Sequence, residues 1–148
     1  MSERRASDMN VIVGALVVDA VLVVVFAIVG RASHAEGLTL AGVWGTAWPF
    51  LAGLAAGWVA ARAWRHPLSA WPTGVVIWAA VLAFGMLLRL LSGQGTALAF
   101  VVVAALTLAL FLVGWRAGAW LVTRRRGTPR QRVTTPTGSG RATTTPPS

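Results

Sequence analysis

The sequence predicts an all-α protein, a four-helix transmembrane bundle of up-and-down topology with a disordered C-terminal tail. Hydrophobic residues make up 56% of the 148-residue chain and charged residues only 11%, with a mean hydropathy of +0.70, whereas about a quarter of an ordinary soluble domain is charged. The apolar residues fall in runs that are each long enough to cross a bilayer as a helix. The chain has no Cys, which excludes disulfides and thiolate metal sites.

The transmembrane domain is predicted to cover residues 11–122, after a short cytoplasmic N-terminus at residues 1–10, with spans at about residues 11–30, 41–61, 73–91 and 97–119. The first span carries Asp19 among fourteen Val, Ile, Leu and Phe residues. Together these favour insertion by about 4–8 kcal/mol, which exceeds the roughly 2.5–3.5 kcal/mol cost of a central Asp. Cleavage after Ala35 as a signal peptide is the alternative, but the apolar run is longer than a signal-peptide core.

The second span contains Pro49, which removes a backbone donor and predicts a kink near Trp48. The alternative is that Pro49 begins the helix, which leaves a short span. Gly53 and Gly57 have the spacing of small residues that let helices approach closely. Gly114 and Gly118 repeat this spacing in the fourth span, so we predict helix packing at both pairs, within the bundle or between copies.

All thirteen basic residues are Arg, and their distribution predicts the orientation. Arginines are concentrated in the amino end, in the link between the second and third spans, and in the basic Thr/Pro-rich tail at residues 123–148. The positive-inside rule therefore predicts a multi-pass protein of the cell (plasma) membrane with both termini cytoplasmic. The net charge is +9. We interpret this positive charge as setting the orientation and attracting anionic lipid to the tail, and we predict no binding of nucleic acid.

Asp19 lies about 13–15 Å from either end of its predicted span, so it needs a partner inside the bundle. Thr107 is predicted at the same depth on the fourth span, whereas Arg116 lies deeper but has a long side chain. The two point in opposite directions, because nine residues at 100° each place them half a turn apart. If the membrane ends at Trp115, Arg116 is instead an interfacial residue beside Trp115 and Trp120.

Asp19 is either a structural pin or a protonatable group in a conduction path. We favour the pin, because the third span offers no polar side chain between Gly74 and Leu88 to line a water-filled path. A second candidate site is the outer-side cluster of Arg31, His34, Glu36 and Arg89, which would bind an anion or a headgroup; the alternative is a solvated loop. One His and one carboxylate do not make a zinc site, and no catalytic residue, cofactor or metal is predicted.

Several segments together resemble an uncharacterised bacterial four-span membrane family, domain of unknown function 3054. They are Asp19, Gly30-Arg31-Ala-Ser33-His34, Thr46-Ala-Trp48-Pro49-Phe50, Gly85-Met86-Leu-Leu88-Arg89 and Gly114-Trp115-Arg116. The resemblance covers about residues 10–122 and omits the tail. It implies a four-span membrane protein without an assigned activity, and it draws attention to the positions matching the family's recurring residues: Arg31, His34, Trp48, Pro49, Arg89 and Arg116.

The leading functional hypothesis is a non-enzymatic integral membrane protein that associates with itself or with a membrane partner through its glycine faces. The alternative is a small transporter or channel component that handles a proton or a small anion through Asp19 and Arg116. An enzyme acting on a lipid headgroup is a third hypothesis.

Overall fold

The structure is a computed structural model that describes residues 2–32 and 38–126. Within these residues the chain forms helices α1 (Ser2–Ala32), α2 (Leu40–Ala60), α3 (Val75–Leu91), α4 (Leu98–Leu112) and α5 (Gly114–Arg126). A wide turn at Ala70–Gly74 leads into α3. The predicted tail from residue 127 onward, together with His34 and Glu36, lies outside the described residues.

The helices form an up-and-down bundle, so the predicted fold class is confirmed for the described part of the chain. Each helix contacts its neighbours in sequence, and α4 also contacts α1, which closes the ring. Four segments there are long and apolar enough to cross a membrane: Arg5–Ala32, Leu40–Ala60, Ala70–Leu91 and Leu98–Arg125. We call the end with the α1–α2 and α3–α4 links the distal end, and the end where α1 begins and α5 ends the terminal end.

Helices α2 and α3 make the most extensive contact in the bundle. A Cβ atom on Gly53 would lie 3.0 Å from the backbone of Val81, and one on Gly57 would lie 3.1 Å from the backbone of Ile77. Farther toward the distal end, Gly85 leaves room for the ring of Phe50. Glycine at these positions therefore lets two backbones approach to a distance that a side chain would prevent.

Gly114 and Gly118 do not pack against another span within the described part of the bundle, so of the two predicted alternatives only packing between copies stays a prediction for this pair. A Cβ on Gly114 would meet only Leu110 of the preceding turn, at 3.6 Å, and one on Gly118 would meet nothing within 4 Å. The spacing predicts a face that permits close approach, but it does not specify a neighbour. Among the described residues, the glycine pair on α2 is packed inside the bundle and the pair on α5 is not.

The boundaries of the first and last helices extend beyond the predicted ones. Helix α1 begins at Ser2, because residues 1–10 contain good helix formers and Glu3 in the first turn favours the positive end of the helix dipole. Helix α5 continues to Arg126, into the predicted tail. There the Thr123 hydroxyl donates to the Ala119 and Trp120 carbonyls at 3.1 and 2.9 Å, and Arg124 lies 4.0 Å from the Trp120 ring centroid.

The helix limits decide the prediction about Pro49 and that about a continuous fourth span. Pro49 lies buried inside α2, so the alternative in which Pro49 begins the helix is wrong. The predicted fourth span is interrupted at Val113, between α4 and α5. At this break the Leu112 carbonyl accepts a hydrogen bond from the Arg116 side chain at 2.8 Å.

Candidate functional site

Asp19 and Arg116 form a buried ion pair where α1 meets α5. The two terminal nitrogens of Arg116 donate to the two carboxylate oxygens of Asp19, at 2.8 and 2.7 Å. Both side chains are 0% exposed. This is the bidentate geometry in which a guanidinium and a carboxylate match best.

Two tryptophan indoles complete the coordination of the carboxylate. Trp58, in the last turn of α2, donates to Oδ2 of Asp19 at 2.8 Å, and Trp115 donates to Oδ1 at 2.9 Å. Each carboxylate oxygen thus accepts from one guanidinium nitrogen and one indole. Donors from α2 and α5 therefore meet on one acid of α1, which ties three helices together.

Arg116 is also held by backbone carbonyls outside the ion pair. Its Nε donates to the Pro67 carbonyl at 3.0 Å, and one terminal nitrogen also donates to the Leu112 carbonyl. The aliphatic part of the side chain passes over Gly74, where a Cβ would lie 3.1 Å from Cδ of Arg116. The link between α2 and α3 is therefore joined to the same cluster, which we call the Asp19 cluster: Asp19, Trp58, Trp115 and Arg116.

The partner of Asp19 is Arg116 and not Thr107. Thr107 instead lines a groove with Phe26 and Phe100, about nine residues or 13 Å farther along the fourth span. The prediction that Asp19 and Thr107 lie at the same depth in the membrane is wrong, because it assumed that the middle of every apolar run lies at the bilayer midplane. In the structure Asp19 lies level with the last turn of α2.

Relative energies explain this register. Sliding an apolar helix against the bilayer costs only fractions of a kcal/mol per Å, whereas breaking a buried ion pair costs about 3–5 kcal/mol. The Asp19 pairing therefore sets the position of α1 along the bundle. The N-terminal part of α1 extends past the end of α2 as a result.

The Asp19 cluster contains a buried ion pair, and its acid is fully hydrogen-bonded. Its ion pair is electrically neutral, fully buried and bidentate, and both oxygens of the acid already accept two hydrogen bonds each. The cluster thus connects α1, α2 and α5 through one fully hydrogen-bonded acid.

The second cluster of predicted site residues is at the distal end. Arg31 and Arg89 line one cavity of about 250 Å³, together with Thr46 and Gln94. Arg89 donates to the Gln94 side-chain oxygen at 2.9 Å and lies 4.4 Å from the Phe100 ring centroid. The structure thus brings together the two described members of the predicted cluster; His34 and Glu36 belong to the segment that is not described.

Sequence reasoning missed three participants in these sites. Trp58 and Trp115 donate to Asp19, although Trp115 was considered only as an interfacial aromatic residue. Gln94 was read as part of a tight turn, yet its side chain fixes Arg89. The sequence did contain a signal for the two tryptophans. A buried acid needs hydrogen-bond donors, and an indole N–H is one of the few donors that an apolar span contains.

Among residues 2–32 and 38–126, no three His, Cys, Asp or Glu side chains lie close enough together to hold a metal ion.

The fold and the buried charge pair define the class: a multi-pass helical bundle whose spans are joined by an internal ion pair. Residues 16–119 match the model of a family described as "Protein of unknown function (DUF3054)". The chain belongs to this family, as its motifs indicated. No curated protein and no solved structure matches the chain.

Proposed function

We propose that the protein is a non-enzymatic integral membrane protein that works as a fixed helical unit and associates with itself or with another membrane protein. The observation that supports this best is the Asp19 cluster. Its hydrogen bonds run to Asp19 of α1 from Trp58 of α2 and from Trp115 and Arg116 of α5. They leave no oxygen of the buried acid without a donor, so the cluster serves to hold the bundle together. A buried polar network of this kind favours one arrangement of the helices over others, because every alternative leaves a charge without a partner.

The surface for association is proposed to be the face of α5 that carries Gly114 and Gly118. Gly53 and Gly57 are already used between α2 and α3, so they are not available to a partner. Gly118, by contrast, has open space where a Cβ would be. Small residues facing outward let a neighbouring helix approach closely.

Transport of a proton or small anion through Asp19 and Arg116 is the competing function. It would need a path from the cluster to water. The distal cavity is lined by neither Asp19 nor Arg116, and both side chains are fully buried. These observations favour the structural role of the pair.

Flux measurements separate the two functions. We expect vesicles containing the wild-type protein to dissipate an imposed pH or chloride gradient no faster than protein-free vesicles. Asp19→Asn should behave the same in flux, while lowering the thermal stability of the protein. Asp8→Asn is the matched control, because Asp8 is an exposed acid on the same helix. Flux through wild type and Asp8→Asn that is lost in an equally stable Asp19→Asn would contradict the structural role.

The proposed orientation places both termini in the cytoplasm and the protein in the plasma membrane. Arg62 and Arg65, in the α2–α3 link, lie at the same end of the bundle as Arg124, whereas Arg31 and Arg89 lie at the other end. The tail would then face the anionic lipid of the inner leaflet. We expect a reporter that is active only in the cytoplasm to be active at the carboxyl end and inactive when inserted after Gln94. The reverse pattern would overturn this orientation.

A further inference from the structure

We propose that the distal cavity and the groove beside it form a binding site for an anionic phospholipid. The phosphate would lie between Arg31 and Arg89, and an acyl chain would lie between α1 and α4. This site is independent of the Asp19 cluster and of the proposed association through α5.

The cavity provides a polar site of defined shape. It lies where the distal ends of the helices meet, with Arg31 contributed by α1, Thr46 by α2 and Arg89 by α3. Its volume of about 250 Å³ is below the roughly 300–1,000 Å³ of sites for drug-sized ligands. This volume is sufficient for a small polar headgroup.

The arginine side chains are positioned before any ligand arrives. Arg89 is fixed by its hydrogen bond to Gln94 and by the ring of Phe100. Arg31 lies against Gly42, where any Cβ would collide with the guanidinium. Planar guanidinium groups held in place are the side chains that best recognise phosphate oxygens.

The charge balance of the sequence favours an anion here. The acidic residues of the chain are Glu3, Asp8, Asp19 and Glu36. Asp19 is bound by Arg116, and Asp8 lies about 34 Å from Arg31 along α1 at 1.5 Å per residue, with Glu3 farther still. Glu36 is thus the only side-chain carboxylate that the sequence places near the distal end. The two arginines therefore outnumber the acidic residues in this part of the sequence.

An apolar groove continues from the cavity and distinguishes a lipid from a free anion. The groove, of about 230 Å³, shares Phe26, Gly30, Ala97 and Phe100 with the cavity. It runs between α1 and α4, and its other lining residues include Val29 and Val103, which are 53% and 59% exposed on the outside of the bundle. A headgroup in the cavity would therefore have its chain beside an apolar surface that faces the bilayer. A free phosphate would leave this groove unfilled.

Lipid retention measured by native mass spectrometry tests the site. The full-length protein in detergent is titrated with phosphatidylglycerol, with phosphatidylcholine of the same chains, and with inorganic phosphate. We expect the wild-type protein to retain phosphatidylglycerol about tenfold better than phosphatidylcholine. Arg31→Gln and Arg89→Gln should each lower that preference about tenfold, the effect of losing one charged hydrogen bond.

Arg124→Gln is the matched control for charge at the terminal end, including lipid bound at the basic tail. Equal retention in Arg89→Gln and Arg124→Gln would overturn the site.

A second pair of variants decides between lipid and free phosphate without changing any charge. Ala99→Trp places a large side chain in the groove, and Leu98→Trp places one on the neighbouring position outside the lining. We expect Ala99→Trp to lose the preference for phosphatidylglycerol and Leu98→Trp to keep it. If Ala99→Trp binds phosphatidylglycerol as wild type does, and inorganic phosphate displaces it, the site takes a free anion and the lipid proposal is wrong. This comparison also decides the question if an arginine variant fails to fold.

Discussion

Replacing Arg116 with methionine should lower the free energy of unfolding by about 3–5 kcal/mol. The methionine fills much of the same space, but the Asp19 carboxylate would be left buried with only two indole donors. The Pro67 and Leu112 carbonyls would lose a donor at the same time. The measurement is an unfolding titration with SDS in mixed micelles, followed by tryptophan fluorescence.

The control for this variant is Arg124→Met, which removes the same charge from a residue outside the cluster. Arg124 is exposed and contacts the Trp120 ring. We expect it to change the free energy of unfolding by at most about 1 kcal/mol, as is usual for an exposed charge. If both variants are equally stable, the ion pair does not stabilise the bundle.

Replacing Gly53 with leucine should separate α2 from α3 and cost about 1–3 kcal/mol or more. The added Cβ would lie 3.0 Å from both Cα and the carbonyl oxygen of Val81. Because these are backbone atoms, no side-chain rotation can relieve the contact, and the helices themselves must move. The same SDS titration measures the loss.

Gly14→Leu is the matched control for this substitution. Gly14 is an exposed glycine within α1, and a Cβ there would meet nothing within 4 Å. It makes the same change in side-chain volume and helix propensity, so a difference between the two variants reports packing alone. Equal stability of Gly53→Leu and Gly14→Leu would show that the α2–α3 contact is not as close as described.

The fold was predictable because hydropathy depends on composition and length alone. Apolar runs of sufficient length predict the spans, and short links between them predict antiparallel neighbours. The relative sliding of the helices was not predictable in this way. The hydropathy of an apolar run does not show which of its residues lies at the same height as a given residue of a neighbouring helix. Asp19 lies beside Trp58 because of hydrogen bonds that hydropathy does not predict.

The candidate site was partly predictable for the same reason. Asp19 and Arg116 are costly residues in apolar segments, so their positions were evident from the sequence. The choice between Thr107 and Arg116 depended on depth, which the sequence left open. Arg31 and Arg89 could be placed at one end by counting spans, but the contact with Gln94 and the adjoining groove depend on side-chain geometry. Likewise, the two glycine pairs have the same spacing in the sequence. The spacing could not show that Gly53 is packed against a neighbouring helix and that Gly118 is not.

A double-mutant cycle measures directly whether Asp19 and Arg116 stabilise the bundle as a pair. The cycle compares the free energies of unfolding of wild type, Asp19→Leu, Arg116→Met and the double variant. Each single variant leaves one buried charge without its partner, whereas the double variant leaves none, so we predict that the double variant recovers most of the loss, with a coupling energy of about 3 kcal/mol or more. Losses that simply add in the double variant would show that the two residues do not stabilise the bundle as a pair.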